Sequence, residues 1–109
     1  MLEALFGSKN RERVLQFILA NGQAYAKEIA DFYAASLDPI QKQLERLEYE
    51  GVLVSKKAGR TRLFEFNPRY MFFDELRALL EKARSYYDPE MIERLLMVRK
   101  RPRRTGKPL

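Results

Sequence analysis

The stretch from Ala26 to Phe66, AKEIADFYAASLDPIQKQLERLEYEGVLVSKKAGRTRLFEF, constrains the fold more than any other part of the chain. Lys27 to Tyr33 predicts a short helix, with Ile29, Ala30 and Tyr33 spaced to face a core. Ala34-Ala35-Ser36 breaks that pattern and predicts a turn. Two start signals then compete for a longer helix. Ser36 is one candidate cap. Asp38 is the other, with Pro39 at the first helical position and Gln41 completing a capping-box-like pair. Either choice carries the helix to about Glu50, with Ile40, Leu44 and Leu47 buried and Gln41, Lys42, Glu45, Arg46 and Glu48 mostly outside. Gly51 stops it. Val52-Leu53-Val54 begins a strand and Leu63 to Phe66 is its return, around a tip at Ala58-Gly59 where Gly59 supplies the turn. Asn67-Pro68 ends the hairpin.

The flanks read as support. Ser8 can cap a helix through Ala20, placing Val14, Phe17 and Ile18 on one face, with Leu5 or Phe6 folding back as a staple. Asn21-Gly22 ends it. Gln23-Ala24-Tyr25 is a candidate extended segment that pairs later with the hairpin. Tyr70 to Tyr86 predicts a helix with a broad apolar face of Phe72, Phe73, Leu76, Leu79, Leu80 and Ala83. Asp88-Pro89 starts another, carrying Met91, Ile92, Leu95, Leu96 and Val98. The aromatic residues Tyr70, Phe72, Phe73, Tyr86 and Tyr87 fit a core or interface better than a base-stacking platform.

Charge placement carries more than net charge. The chain of 109 residues holds 21 Lys and Arg against 15 Asp and Glu, a formal charge of +6. Six of the basic residues follow Val98 in RKRPRRTGKPL, so the rest is neutral and the excess sits on one arm, including Arg101, Arg103 and Arg104. A basic arm on a neutral body suggests a polyanionic partner; the bland alternative is a solvated tail. Four more cations, Lys56, Lys57, Arg60 and Arg62, surround the hairpin tip without an acid between them. Phosphate or minor-groove contact is one use for them, and protection of a sheet edge is the other. With no Cys and no His, disulfides, thiol nucleophiles, histidine bases and ordinary zinc sites are excluded. No cofactor and no metal are expected. No apolar run approaches the roughly 20 residues of a membrane helix, and no secretory signal opens the chain, which predicts a cytoplasmic protein away from membranes.

The run KEIADFYAASLDPIQKQLERLEYEGVLVSKKAGRTRLFEFNP resembles the winged helix-turn-helix of bacterial and archaeal transcriptional regulators, nearest the ArsR-like group. LFGSKNRERVLQFIL and NPRYMFFDELRALLEKA resemble the same family's flanking helices, so the likeness covers about residues 4–84. It implies a mainly α protein with a small β-hairpin (α-α-α-β-β) plus C-terminal dimerisation helices. On this reading residues 1–87 form the DNA-binding domain, 88–100 a C-terminal helix and 101–109 a basic tail. It implies that the helix beginning near Ser36 enters the major groove of double-stranded DNA, with Ser36, Leu37, Asp38, Gln41 and Lys42 on the DNA side. Gln pairs with adenine, Lys reaches guanine, and Asp38 accepts from cytosine N4 if it does not cap the helix. The family usually carries glycine in the turn, where this chain has Ala34-Ala35, and more Ser, Thr and His in the recognition helix. From Lys27 to Glu50 there are three basic and six acidic residues, an unfavourable balance beside phosphate.

The leading expectation is therefore a homodimeric transcriptional regulator, a repressor by resemblance, with the C-terminal helices pairing against the first helix across a two-fold axis. A winged-helix adaptor for another protein, with the tail binding nucleic acid nonspecifically, is the alternative. RNA or ribosome binding through the tail ranks third. An enzyme ranks last, because no nucleophile–base pair or glycine-rich phosphate loop is present.

Overall fold

Local chemistry sets each element boundary. The computed structural model describes the backbone of residues 1–100 and the side chains of residues 1–98; the tail cations Arg101, Arg103 and Arg104 lie outside the described residues. A four-residue helix α1 (Glu3–Phe6) precedes α2 (Lys9–Asn21), whose N-cap Ser8 accepts a hydrogen bond from the Arg11 amide at 3.1 Å. Leu2, rather than Leu5, is the residue at this end that enters the core, and Phe6 packs at its edge. Gln23–Tyr25 forms the short strand β1. Helix α3 (Ala26–Tyr33) starts where the Glu28 carboxylate accepts the Tyr25 amide at 2.9 Å.

The turn between α3 and α4 (Leu37–Tyr49) has a specific cost. Ala34 sits at φ 52°, and Ala35 N–H bonds back to Ala30 C=O at 2.9 Å, the six-to-one bond of a Schellman stop. Glycine ordinarily takes that left-handed position; alanine holds it here. Ser36 occupies the N-cap position of α4, so Asp38 lies in the first turn and Pro39 is the third helical residue, not the first. Pro39 is tolerated because the amides of the first turn have no helical partner. Neither capping alternative forms side-chain bonds: Ser36 makes none to the helix, and Gln41 turns forward to donate to Glu45 Oε2 at 3.2 Å.

Strands β2 (Leu53–Ala58) and β3 (Thr61–Phe66) form the hairpin, and β1 adds to the other edge of β3, giving an antiparallel sheet of order β1-β3-β2. The hairpin turns at Gly59-Arg60, with Gly59 at φ 66° in the first central position. Residues 67–72 are turns rather than helix. Helix α5 (Phe73–Arg84) starts three residues later than the pattern suggests, and α6 (Pro89–Lys100) follows.

One core joins every layer. Val14, Leu15, Phe17 and Ile18 of α2 meet Ile29, Ile40, Leu44, Leu47, Leu53, Phe64, Leu80 and Leu95. Helix α2 is buried by its own chain: α5 supplies Leu80 and Ala83, and α6 supplies Leu95. Gln16 spans this junction, donating its amide to the Leu80 carbonyl at 2.8 Å. The apolar face of α2 is therefore mostly covered by α5 and α6 of the same chain, with Leu19 left partly exposed.

Glu12 ties the N-terminal segment to the α5–α6 junction. The residue is 5% exposed, and its carboxylate accepts from the Leu2 amide at 2.7 Å, the Met1 ammonium at 3.2 Å and the Tyr87 hydroxyl. Burial raises the carboxyl's affinity for a proton, but the bonds from Tyr87, Leu2 and the N-terminus outweigh it and hold the group below the ordinary glutamate range. The same burial and the same carboxylate push Tyr87 upward.

Candidate nucleic-acid interface

Three devices hold α4 against the rest of the fold while leaving its outer surface open. Ile40, Leu44 and Leu47 anchor its inner face. Arg11 of α2 reaches across to Gln43 Oε1 at 3.0 Å and Glu50 Oε1 at 3.2 Å. Gly51, at φ 86°, lets the chain reverse so that Val52 N–H bonds to Leu47 C=O at 2.9 Å and β2 begins at once.

The wing is tied to α4 by a relay. Arg62 donates to Ser55 Oγ at 3.2 Å, and Ser55 donates to Glu48 Oε2 at 2.7 Å. Pairing register explains it. Ser55 faces Phe64 and Lys57 faces Arg62, so Ser55, Lys57, Arg62 and Phe64 share the sheet face that turns to α4. Lys56 pairs with Leu63 and projects from the opposite face. The four wing cations thus divide: Lys57 and Arg62 toward the helix, Lys56 away, and Arg60 in the turn.

Between α4 and the wing lies an open cleft of about 300 Å³, lined by Tyr25, Ala26, Lys27, Leu37, Gln41, Arg60, Thr61, Arg62 and Phe64. Of the residues expected to touch DNA, the structure brings Leu37, Gln41, Arg60 and Arg62 to this one cleft. Asp38, Lys42, Lys56 and Lys57 are exposed but do not line it, and Ser36 is exposed at the helix cap. Lys42 instead joins Glu45, Arg46, Tyr49 and Glu50 along the outer side of α4, where Tyr49 is 93% exposed. Among the described residues, α5 and α6 do not cover the outer face of α4.

Sequence reasoning missed Tyr25, Lys27 and Thr61 as neighbours of this cleft. Lys27 and Tyr25 were visible as a cation and a hydroxyl at the start of α3, but only β1–β3 pairing brings them beside the wing. Part of the acid excess of residues 27–50 is answered inside the fold, and Arg11 is the one cation from outside the segment that the described ion pairs bring to it. Asp31 is paired with Lys27 at 3.1 Å, Glu50 with Arg11 at 3.2 Å, Glu28 caps α3, and Glu48 accepts from Ser55. Among the described residues no group of acidic side chains is arranged to hold a metal, and no helix is long and apolar enough to cross a membrane.

Solved structures share this architecture. The Lactococcus lactis ZitR C30AH42A mutant superposes with a TM-score of 0.52 at 15% identity, covering 79% of this chain and 66% of that one. The apo form of the same mutant gives 0.54 at 17% identity, over 84% of this chain and 78% of that one. The adhesin competence repressor AdcR of Streptococcus pyogenes gives 0.50 at 16% identity, over 91% and 81%. The fold is a winged helix-turn-helix. In its terms α3 and α4 are the helix-turn-helix, with α4 in the recognition position, and β2–β3 is the wing. No family model matches the chain, and no curated protein matches it.

Proposed function

We propose that the protein is a sequence-specific regulator of transcription that binds double-stranded DNA, with α4 in the major groove and the wing on phosphate or in the adjacent minor groove. One observation carries this reading: the first exposed turns of α4, at Leu37 and Gln41, and the wing arginines Arg60 and Arg62 open onto the same cleft. A duplex entering the groove side of α4 meets base-reading groups and cations together. The ArsR-like resemblance of residues 4–84 supports it, as does the fold shared with a protein named as a repressor.

The proposed unit is a homodimer. Leu95 holds α6 to the core, while the neighbouring Leu96 and Met97 are 41% and 44% exposed, an apolar surface that a second copy would cover. Paired recognition helices would lie about 34 Å apart, one turn of DNA. The basic tail, Arg101, Arg103 and Arg104, adds nonspecific attraction to phosphate.

Selection from a random duplex library at physiological salt tests the proposal. An enriched inverted repeat with half-sites one helical turn apart is expected. Recovery of sequences no different from the starting library would refute sequence-specific reading, and a monomer at micromolar concentration in sedimentation equilibrium would refute the dimer.

A further inference from the structure

The recognition helix opens with a leucine where most DNA-reading helices would present a hydrogen-bonding side chain. Leu37 is the first residue of α4 and is 45% exposed, so its side chain contributes little to the core. It sits at the mouth of the wing cleft, one helical turn before Gln41. One N–H of the Gln41 amide is given to Glu45 Oε2 at 3.2 Å, which leaves the second N–H to donate and the amide oxygen to accept. The adjoining outer side chains Asp38 and Glu45 are acceptors as well. Lys42 and Asp38 could serve a G·C pair, but an exposed leucine has no hydrogen bond to offer, and thymine alone among the bases presents an apolar knob, its C5-methyl, to the major groove. An A·T pair offers both a donor, adenine N6–H, and an apolar knob, the thymine methyl.

We infer that Leu37 determines specificity by packing on the C5-methyl of a thymine, with the Gln41 carbonyl accepting from an adenine amino group at the same or the next base pair. The inference rests on the proposed DNA-reading role and names the bases that role would select. The flanking cations Arg60, Arg62 and Lys27 supply the salt-dependent grip and carry no base preference.

Uracil in place of thymine removes only the methyl, so it isolates the contact. The best duplex from the random selection is resynthesised with deoxyuridine at each thymine in turn. At one thymine in each half-site, wild-type affinity should fall about fourfold, the worth of one buried methyl-sized group. Leu37→Ala, which loses the contact in both half-sites, should bind the thymine duplex about as weakly as wild type binds a duplex with uracil at that position in both half-sites, and should no longer distinguish thymine from uracil. Its salt slope should match that of wild type, since no phosphate contact is lost. Equal wild-type affinity for thymine and uracil at every position overturns the inference while leaving DNA binding intact. So does a Leu37→Ala protein that still discriminates them. Failure to enrich any sequence would show itself one step earlier and would remove the DNA-reading role together with this inference.

Discussion

Removing the charge of Lys57 should make the protein more stable and a poorer DNA binder at once. Lys57 and Arg62 are direct cross-strand partners on the α4 side of the wing, and Arg62 is held in place by Ser55. Cross-strand partners lie roughly 5.5 Å apart, and two like charges at that spacing at the dielectric of water repel by about 0.75 kcal/mol, which screening at physiological salt roughly halves. The result lies within the range of about 0.2–1 kcal/mol attributed to cross-strand pairs. Lys57→Gln keeps most of the side-chain length and deletes the repulsion, so the melting temperature should rise by about 2 °C. The gain should fade as salt is raised. On the proposed role of the wing the same change takes away one phosphate contact, and the slope of log K against log salt should become shallower by about 0.9. Over a fourfold rise in salt that is about a 3.5-fold smaller loss of affinity. Calorimetry or circular dichroism melts, and fluorescence anisotropy at several salt concentrations, measure the two halves. An unchanged slope refutes the phosphate contact and leaves edge protection as the use of the charge. An unchanged or lower melting temperature at low salt refutes the repulsion.

Ala34→Gly should stabilise the fold by about 0.5 kcal/mol in thermal or urea melts. Relief of the left-handed strain at φ 52°, about 1–2 kcal/mol, outweighs the added entropy of glycine in the unfolded chain, about 0.5–1 kcal/mol; a clear loss of stability would mean the turn is not under strain. Glu12→Ala should cost about 2–3 kcal/mol, because the Leu2 amide and Tyr87 hydroxyl lose a buried charged acceptor, and Glu12→Gln should cost less. Because Glu12 titrates below its ordinary value of 4.5 in the folded protein, its charge contributes fully above that value. The contribution is lost as pH falls through the folded value, so wild type and Glu12→Gln should converge in stability in acid; a gap independent of pH would refute the carboxylate's role. Deleting residues 101–109 should weaken DNA binding at low salt while preserving the selected sequence. Loss of all binding would place the interaction in the tail instead of the groove-reading surface.

The order of elements was legible because each rests on local chemistry. Ser8 caps α2 through its own hydroxyl, Gly51 and Gly59 accept positive φ, and Ile40, Leu44 and Leu47 recur at helical spacing whatever they face. Even Gln23-Ala24-Tyr25 could be read as a strand awaiting a partner. The start of α4 was only half legible, since Ser36 and Asp38 carry equal capping chemistry and neither in the end bonds to the helix. The late start of α5 was obscured because Tyr70 and Phe72 continue an apolar pattern through residues that fold as turns; the two rings stack edge to face at 5.9 Å.

What the chain alone could not convey is which charges share a face and which are already satisfied. Composition placed four cations at the wing, but strand register alternates side chains across the sheet, sending Lys56 away from Lys57 and Arg62. The acid excess around α4 counted against DNA, and only the fold brings Arg11 and Ser55 from elsewhere to occupy Glu50 and Glu48. The apolar C-terminal helices suggested a partner for the first helix, and they are that partner themselves, folded back in the same chain. Local sequence determines helix, strand and turn because those depend on neighbours a few residues apart. The cleft depends on residues from Tyr25 to Phe64 meeting across a sheet, and only tertiary packing decides that.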